Sequence, residues 1–169
     1  SSGGTGEIDS YGKYNVTEGA WDTGRLARTA WTDQSVLGEP IGTTPQGVIY
    51  QHETSLDADG QPLNASFTTG WFVISEGQDI AFVDWFFPDF KFALYGASGS
   101  ASIQLVIEVA AYPNSSVTTF GPFTMTNVKE FINLRLRGRL IRLTISSSDV
   151  GSCWRTGRPS YRVAIDGRR

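Results

Sequence analysis

The chain has almost none of the residues on which stapled folds and common catalytic sites depend. Its 169 residues include one cysteine, Cys153, one histidine, His52, and one methionine, Met125. A lone cysteine excludes an internal disulfide. A structural zinc site takes four ligands, nearly always Cys or His, and one of each cannot supply them. Any Ser-His-Asp or Cys-His mechanism would have to use His52. Long apolar runs are missing too. The longest uncharged stretch, Val109 to Val128, is broken by Pro113, Asn114, Ser115, Ser116 and Pro122, which disqualifies it as a membrane-spanning helix. Ser1 to Gly12 is rich in Gly and Ser and lacks the apolar segment of a secretory signal. With Met125 far from Ser1, the expectation is a soluble chain, processed or excised.

What is present suits one ordinary domain with a tail. Hydrophobic residues make up 40% and charged residues 18%, enough apolar material for a core. Ten phenylalanines and five tryptophans suit a sandwich core or an aromatic interface. The net charge is −3 and is unevenly spread. Residues 1 to 128 carry 4 basic and 14 acidic side chains, or −10, and residues 129 to 169 carry 10 and 3, or +7. A basic end can serve nucleic acid or phosphate. Here the arginines alternate with strand-forming residues, so they are expected to pack beside acidic parts of the same chain or of a neighbouring copy.

Periodicity points to an all-β fold. Ser102 to Ala110 places Ile103, Leu105, Ile107 and Val109 on one face and Gln104, Val106 and Glu108 on the other, a strand with one face buried. Gln78 to Phe87 reads as a strand covered on both sides. Ile80, Phe82 and Phe86 share one face, and Ala81, Val83, Trp85 and Phe87 the other, with Asp84 buried and therefore paired, an arginine being the expected partner. Shorter strands fit Gly47 to Gln51, Ala65 to Ile74, Phe90 to Tyr95, Thr119 to Met125 and Ser160 to Asp166, separated by turns at Asp59-Gly60, Glu76-Gly77, Pro88-Asp89, Gly96 to Gly99 and Pro113-Asn114. Many short strands so spaced read as an antiparallel β-sandwich or jelly roll over residues 41–169, behind an extended Gly/Thr/Asp-rich arm or leader at 1–40.

Within Phe131 to Ser147 the apolar positions are even up to Gly138 (Ile132, Leu134, Leu136) and odd after it (Ile141, Leu143, Ile145). A two-residue turn at Gly138-Arg139 would set Leu136 opposite Ile141, and Arg135 opposite Arg142. Two facing arginines are unfavourable without an acceptor between them. A bulge at Gly138 within one long strand is the rival reading.

Catalytic and metal signals are thin. Gln51 to Leu63 gathers His52, Glu53, Asp57 and Asp59, and calcium would be the first choice of ion. An EF-hand built on Asp57, Asp59 and Gly60 would put Ser66 where a bidentate Glu belongs, so an Asp-Gly turn is the simpler reading. Carboxylate pairs from Glu53, Asp57, Asp59, Asp79 and Asp84 carry little weight without distances. Cys153 has only Arg155 nearby in sequence to lower its pKa and reads as a packed thiol. Gly96 to Gly99 lacks the strand-to-helix setting of a phosphate loop.

Several blocks look familiar together. They are RTAWTD (Arg28 to Asp33), PIGTTPQGVIYQHETSLDADGQPLNA (Pro40 to Ala65), PDF (Pro88 to Phe90), FGPFTM (Phe120 to Met125), LRLRGRLIRLTI (Leu134 to Ile145) and WRTGRPSYRVAIDGRR (Trp154 to Arg169). In this order they resemble the C-terminal region of tail proteins of short-tailed bacteriophages, the virion proteins that form the nozzle or hub below the portal. The resemblance covers most of the chain after residue 25, and its closing DGRR ending and arginine-glycine-arginine block are its most specific parts. It implies a structural part with no catalytic residues and no cofactor, located in the virion tail after assembly in the host cytoplasm. Its partners would be other copies in a ring and neighbouring tail proteins, with no membrane. The part upstream of this region, often a β-propeller in the family, is not in this sequence.

Rings repeat one heterologous interface, and guanidinium groups suit such contacts because they bind carboxylates in bidentate fashion. The expected interface residues are Arg135, Arg137, Arg139, Arg142, Arg155, Arg158, Arg168 and Arg169. DNA must pass through a tail without being gripped, and the pI is near 5.1, so no specific nucleic-acid binding is expected. The alternative is a carbohydrate- or receptor-binding sandwich, with Trp71, Trp85, Trp154 and Tyr161 stacking on sugar rings if exposed.

Overall fold

The computed structural model describes residues 6, 8–36, 38–75, 79–93 and 101–168. The turns expected at Glu76-Gly77 and Gly96 to Gly99, and the end of the strand expected over Phe90 to Tyr95, lie outside the described residues. Among the described residues 57% are in strands and none is in a helix, and the sheets are antiparallel, the all-β class that the alternation implies. Two compact units emerge, Ser1–Ser55 and Leu56–Arg169. The division falls after Ser55, and the change in composition at residue 40 lies within the first unit.

In the first unit, the stretch read as an arm contains a hairpin. Strands β1 (Ser10–Asn15) and β2 (Ala20–Arg25) pair in register from Ser10 opposite Arg25 to Asn15 opposite Ala20. The loop is held by the Asn15 side chain, which accepts the N–H groups of Thr17 and Glu18 at 3.0 and 3.2 Å. The Tyr14 and Trp21 rings meet across the strands at 4.9 Å, and Tyr11 lies over Gly24, where a Cβ would come within 2.5 Å of the ring. Such cross-strand pairs stabilise a ribbon whose residues are otherwise exposed to water. A second sheet joins β3 (Ala30–Thr32), β4 (Ile41–Thr43) and β5 (Ile49–Gln51) in the order β3-β4-β5.

The second unit is a β-sandwich. One sheet runs β11 (Val117–Met125), β10 (Ile103–Ala110), β13 (Leu140–Ser147) and β6 (Ala65–Thr68), with β7 (Phe72–Val73) also on β13. The facing sheet runs β12 (Ile132–Gly138), β8 (Asp79–Phe87) and β15 (Ser160–Arg168), and a ribbon of β9 (Phe90–Phe92) and β14 (Trp154–Thr156) flanks it. The core between the sheets is made by Ile103, Leu105, Ile107 and Val109 from β10, Ile132, Leu134 and Leu136 from β12, and Ile141, Leu143 and Ile145 from β13, with Val83, Phe86 and Met125. Each such side chain, fully buried, contributes about 1.5–3 kcal/mol.

The inward faces of β12 and β13 are those the sequence marks, but their partners differ from both earlier readings. The two strands are not paired with each other: β12 lies on β8, and β13 lies on β10, β6 and β7. Gly138-Arg139 is the corner at which the chain leaves one sheet and enters the other. Consequently Arg135 and Arg142 are on different sheets rather than opposite each other. Gly138 has no alternative at this corner, because a Cβ there would overlap Val109 Cγ1 and lie 3.2 Å from the Ala110 carbonyl.

Strand β8 also departs from simple alternation. Trp85 is opposite Arg162 and Val83 opposite Val163, so Asp84 is an extra residue, a bulge that switches the buried set from Asp79, Ala81 and Val83 to Phe86. Phe82 and Phe86 therefore face opposite sides, contrary to the reading from spacing. Asp84 is turned outward with 39% of its side chain exposed, so it is not buried, although the arginine partner expected for it is there.

Candidate functional site

The arginines divide into those engaged within the sandwich and those left open. On β13 the buried set Ile141, Leu143 and Ile145 turns Arg142 outward, and register places it opposite Glu108 of β10. Arg142 Nε and Nη2 donate to the two Glu108 carboxylate oxygens at 2.7 and 2.8 Å, and the guanidinium lies 4.7 Å from the centre of the Trp71 ring. That bidentate pair holds the Glu108 carboxyl below its ordinary pKa and raises Arg142. Arg162 grips Asp84 in the same way at 2.7 and 2.6 Å and holds its carboxyl low. Arg137 is ion-paired with Asp166 and also donates to its carbonyl at 3.0 Å. Arg139 sits half-buried at the corner, its N–H bonded to the Ala110 carbonyl at 3.0 Å.

Arg135 on β12, Arg155 on β14 and Arg158 after it are exposed, and none of the three has an ion-pair partner among the described residues. Arg168 closes β15, its backbone opposite Asp79, and Arg169 lies outside the described residues. Two of the ion pairs, Arg142 with Glu108 and Arg162 with Asp84, join the arginine-rich end to the acidic part of the same chain. Part of the charge asymmetry is thus satisfied internally.

Acid should weaken these contacts. Carboxyls held low in the folded state stabilise it above their unfolded pKa values, near 3.8 for Asp and 4.5 for Glu, and lose that contribution as pH falls through the folded values. In chemical unfolding below pH 4.5, Glu108→Gln should show a shallower loss of stability with falling pH than the parent chain. An identical slope would mean that the pair does nothing for folding.

The four aromatic residues considered for sugar stacking are not brought to one place. Trp154 and Tyr161 pack against the core, and Trp154 Nε1 donates to Ser147 Oγ at 2.9 Å. Trp71 lies on the outer side of the β13 sheet beside Arg142, and Trp85 on the outer side of the β8 sheet, where its ring is within 8° of parallel to Phe87 at 6.1 Å and near Phe131 at 6.2 Å. Asp57 and Asp59 shape a turn: Asp57 Oδ1 accepts the Gly60 N–H at 2.9 Å, and Ala58 and Gln61 bond reciprocally around Asp59-Gly60. Among the described residues no three His, Cys, Asp or Glu side chains gather where an ion could be held. Cys153 is a half-buried free thiol.

One cluster escaped the sequence reading. In the first unit, Arg28 Nε donates to His52 Nε2 at 3.0 Å, its guanidinium lies 4.8 Å from the Tyr50 ring centre, and Trp31 packs on His52 at 4.6 Å. Gly42 forms the floor, where a Cβ would come to 3.0 Å from Arg28 and Trp31. The residues come from separate segments, and hydropathy gives no sign of their meeting. Burial and the Arg28 charge keep His52 below its ordinary value of 6.5, against the opposite pull of Glu53. The neutral form is thus favoured by folding, and its stabilisation is complete above pH 6.5 and lost as pH falls through the folded pKa. A proton NMR titration should place His52 below 6.5 and move it upward in Arg28→Ala. A value at or above 6.5 in the parent chain would break this account.

No family model matches this chain, and no curated protein matches it. The residues themselves describe a sandwich whose two outer faces carry arginine ion pairs beside aromatic rings, exposed at Trp71 and half-buried at Trp85, with exposed arginines at its margins. Such groups are suited to contact.

Proposed function

We propose that this chain is a structural component of a bacteriophage tail, of the nozzle, hub or adaptor kind or the C-terminal piece of such a subunit, acting through protein-protein contacts. The observation that carries the reading is where its most specific blocks fall. Leu134 to Ile145 is the corner joining the two sheets, and Trp154 onward supplies β14 and the edge strand β15, so the blocks of the resemblance are the framework of one sandwich. Its partners are other copies in a ring and adjoining tail proteins, its place is the virion, and it needs no cofactor. Arg135, Arg155 and Arg158 are exposed arginines that support such contacts. Negative-stain images of the concentrated chain should contain closed rings of one size. Monomers alone at every concentration would overturn the reading.

One observation favours a second reading, a glycan-binding face. Trp85 and Phe87 are nearly parallel on the outer side of the β8 sheet, beside Asp84 and opposite exposed Asn133. Parallel rings flanked by polar groups suit sugar stacking. Saturation-transfer NMR with neutral hexose oligosaccharides should then give a signal that Trp85→Ala abolishes. Equal transfer in both proteins, or none, removes this reading.

A further inference from the structure

The ribbon of β9 and β14 breaks a rule of strand pairing. Arg155 stands directly opposite Lys91, between the pairs Trp154 with Phe92 and Thr156 with Phe90. Trp154, Phe90 and Phe92 pack against the core, so alternation turns both cations to solvent, and both are exposed. Like charges facing each other across a ladder are destabilising unless an anion lies between them. Arg158, on the loop that follows, adds a third exposed cation. None of the three has an ion-pair partner among the described residues.

That loop is held in a fixed shape. The Asp89 carbonyl accepts the Gly157 N–H at 2.8 Å, and its carboxylate accepts the backbone N–H of Arg158 at 3.0 Å. Gly157 is so close to this carboxylate that a Cβ would overlap it. Asp89 is therefore committed to the loop backbone and holds the loop that carries Arg158. A surface arranged before binding loses less conformational freedom when a partner arrives.

We propose that this ribbon is a carboxylate-binding contact surface, and that its occupant is the acidic segment of a second copy of this chain. Charge complementarity selects the occupant. Residues 1–55 carry 3 basic and 7 acidic side chains, a net of −4, and Asp9, Glu18, Asp22, Asp33 and Glu53 are exposed without an ion-pair partner among the described residues. Guanidinium groups bind carboxylates in bidentate fashion, and the contact gives orientation and choice of partner more than raw affinity. This inference rests on the assembly reading above and names the surface that would carry it.

The test compares the self-association constant of the parent chain with that of Lys91→Glu/Arg155→Glu by sedimentation velocity at low salt. Arg158→Glu serves as a second, independent variant, and circular dichroism checks that each is folded. The expected result is association weakened at least tenfold in the double variant and less in the single one. A parent that associates alongside variants that associate equally well overturns this inference and leaves the assembly reading standing. A parent that stays monomeric overturns both. Fluorescence anisotropy with a labelled 20-nucleotide single-stranded DNA separates the rival occupant. Tight DNA binding that the double variant loses, with self-association unchanged, would assign the cations to phosphate and overturn the proposal.

Discussion

Gly138→Ala is expected to lower the unfolding free energy by about 2–3 kcal/mol, the scale of overpacking a filled core. The new methyl group would overlap Val109 Cγ1 and press on the Ala110 carbonyl, and neither can yield easily. Val109 is β-branched and 2% exposed near the end of β10, and the Ala110 carbonyl already accepts the N–H of Arg139. The closer of the two contacts is with Val109 Cγ1, so a second substitution isolates it. In Gly138→Ala/Val109→Ala the methyl at 138 has room, and the double variant should be more stable than the sum of the two losses by about 1 kcal/mol or more. Urea unfolding of the four proteins measures this directly. Strict additivity would mean that the corner is not held by the contact between Gly138 and Val109.

Phe86→Ala should be costlier, about 3–5 kcal/mol, because Phe86 is completely buried and its loss leaves a cavity. The side chain also lines an apolar cleft of about 180 Å³ together with Phe67, Leu105, Leu143 and Ile145, so truncation enlarges a space that is already there. The informative comparison is Phe82→Ala. Phe82 is half-buried on the outer side of the sheet, between Arg137 and Ala164, and its truncation should cost less than half as much. Uninterrupted alternation would make the two residues equivalent. Equal losses would therefore argue against the bulge at Asp84.

Both predictions come from places where sequence pattern and structure part. Ser102 to Ala110 was legible as a strand because one of its faces is buried against a single layer, and hydropathy records that directly. The change of phase at Gly138 was also legible, and it marked the correct inward residues on either side. Alternation tells which face is covered but not which strand lies alongside, so a corner between sheets has the same signature as a hairpin. What decides between them is the approach of Gly138 to Val109, a contact between residues far apart in sequence. In β8 the misreading has a different origin. A bulge is a backbone event, and the apolar residues on both sides of Asp84 hide the resulting switch of face.

The hairpin of Ser10 to Arg25 could not be read from periodicity, since both of its faces meet water. It is set by pairings between particular residues, Tyr14 with Trp21 and Tyr11 over Gly24, and by the Asn15 side chain closing the loop. The candidate contact surface was partly legible. The concentration of arginines in residues 129 to 169 is plain in the sequence, and the expectation that some would pair within the chain holds for Arg142 and Arg162. Which arginines are consumed depends on strand register. Glu108 claims Arg142 only because β10 and β13 align those two residues, and Arg155 is open because β9 offers it Lys91 in place of an acid.

The measurement closest to the central claim is the native mass of the purified chain by light scattering after size exclusion, at about 50 mM and 1 M salt. Exposed charge pairs are screened within about 3 Å at 1 M salt, whereas apolar contacts are not weakened. A tail component held through its arginines and carboxylates should run as a closed oligomer at low salt and dissociate at high salt. A monomer of 18.4 kDa at both salt concentrations would contradict the account.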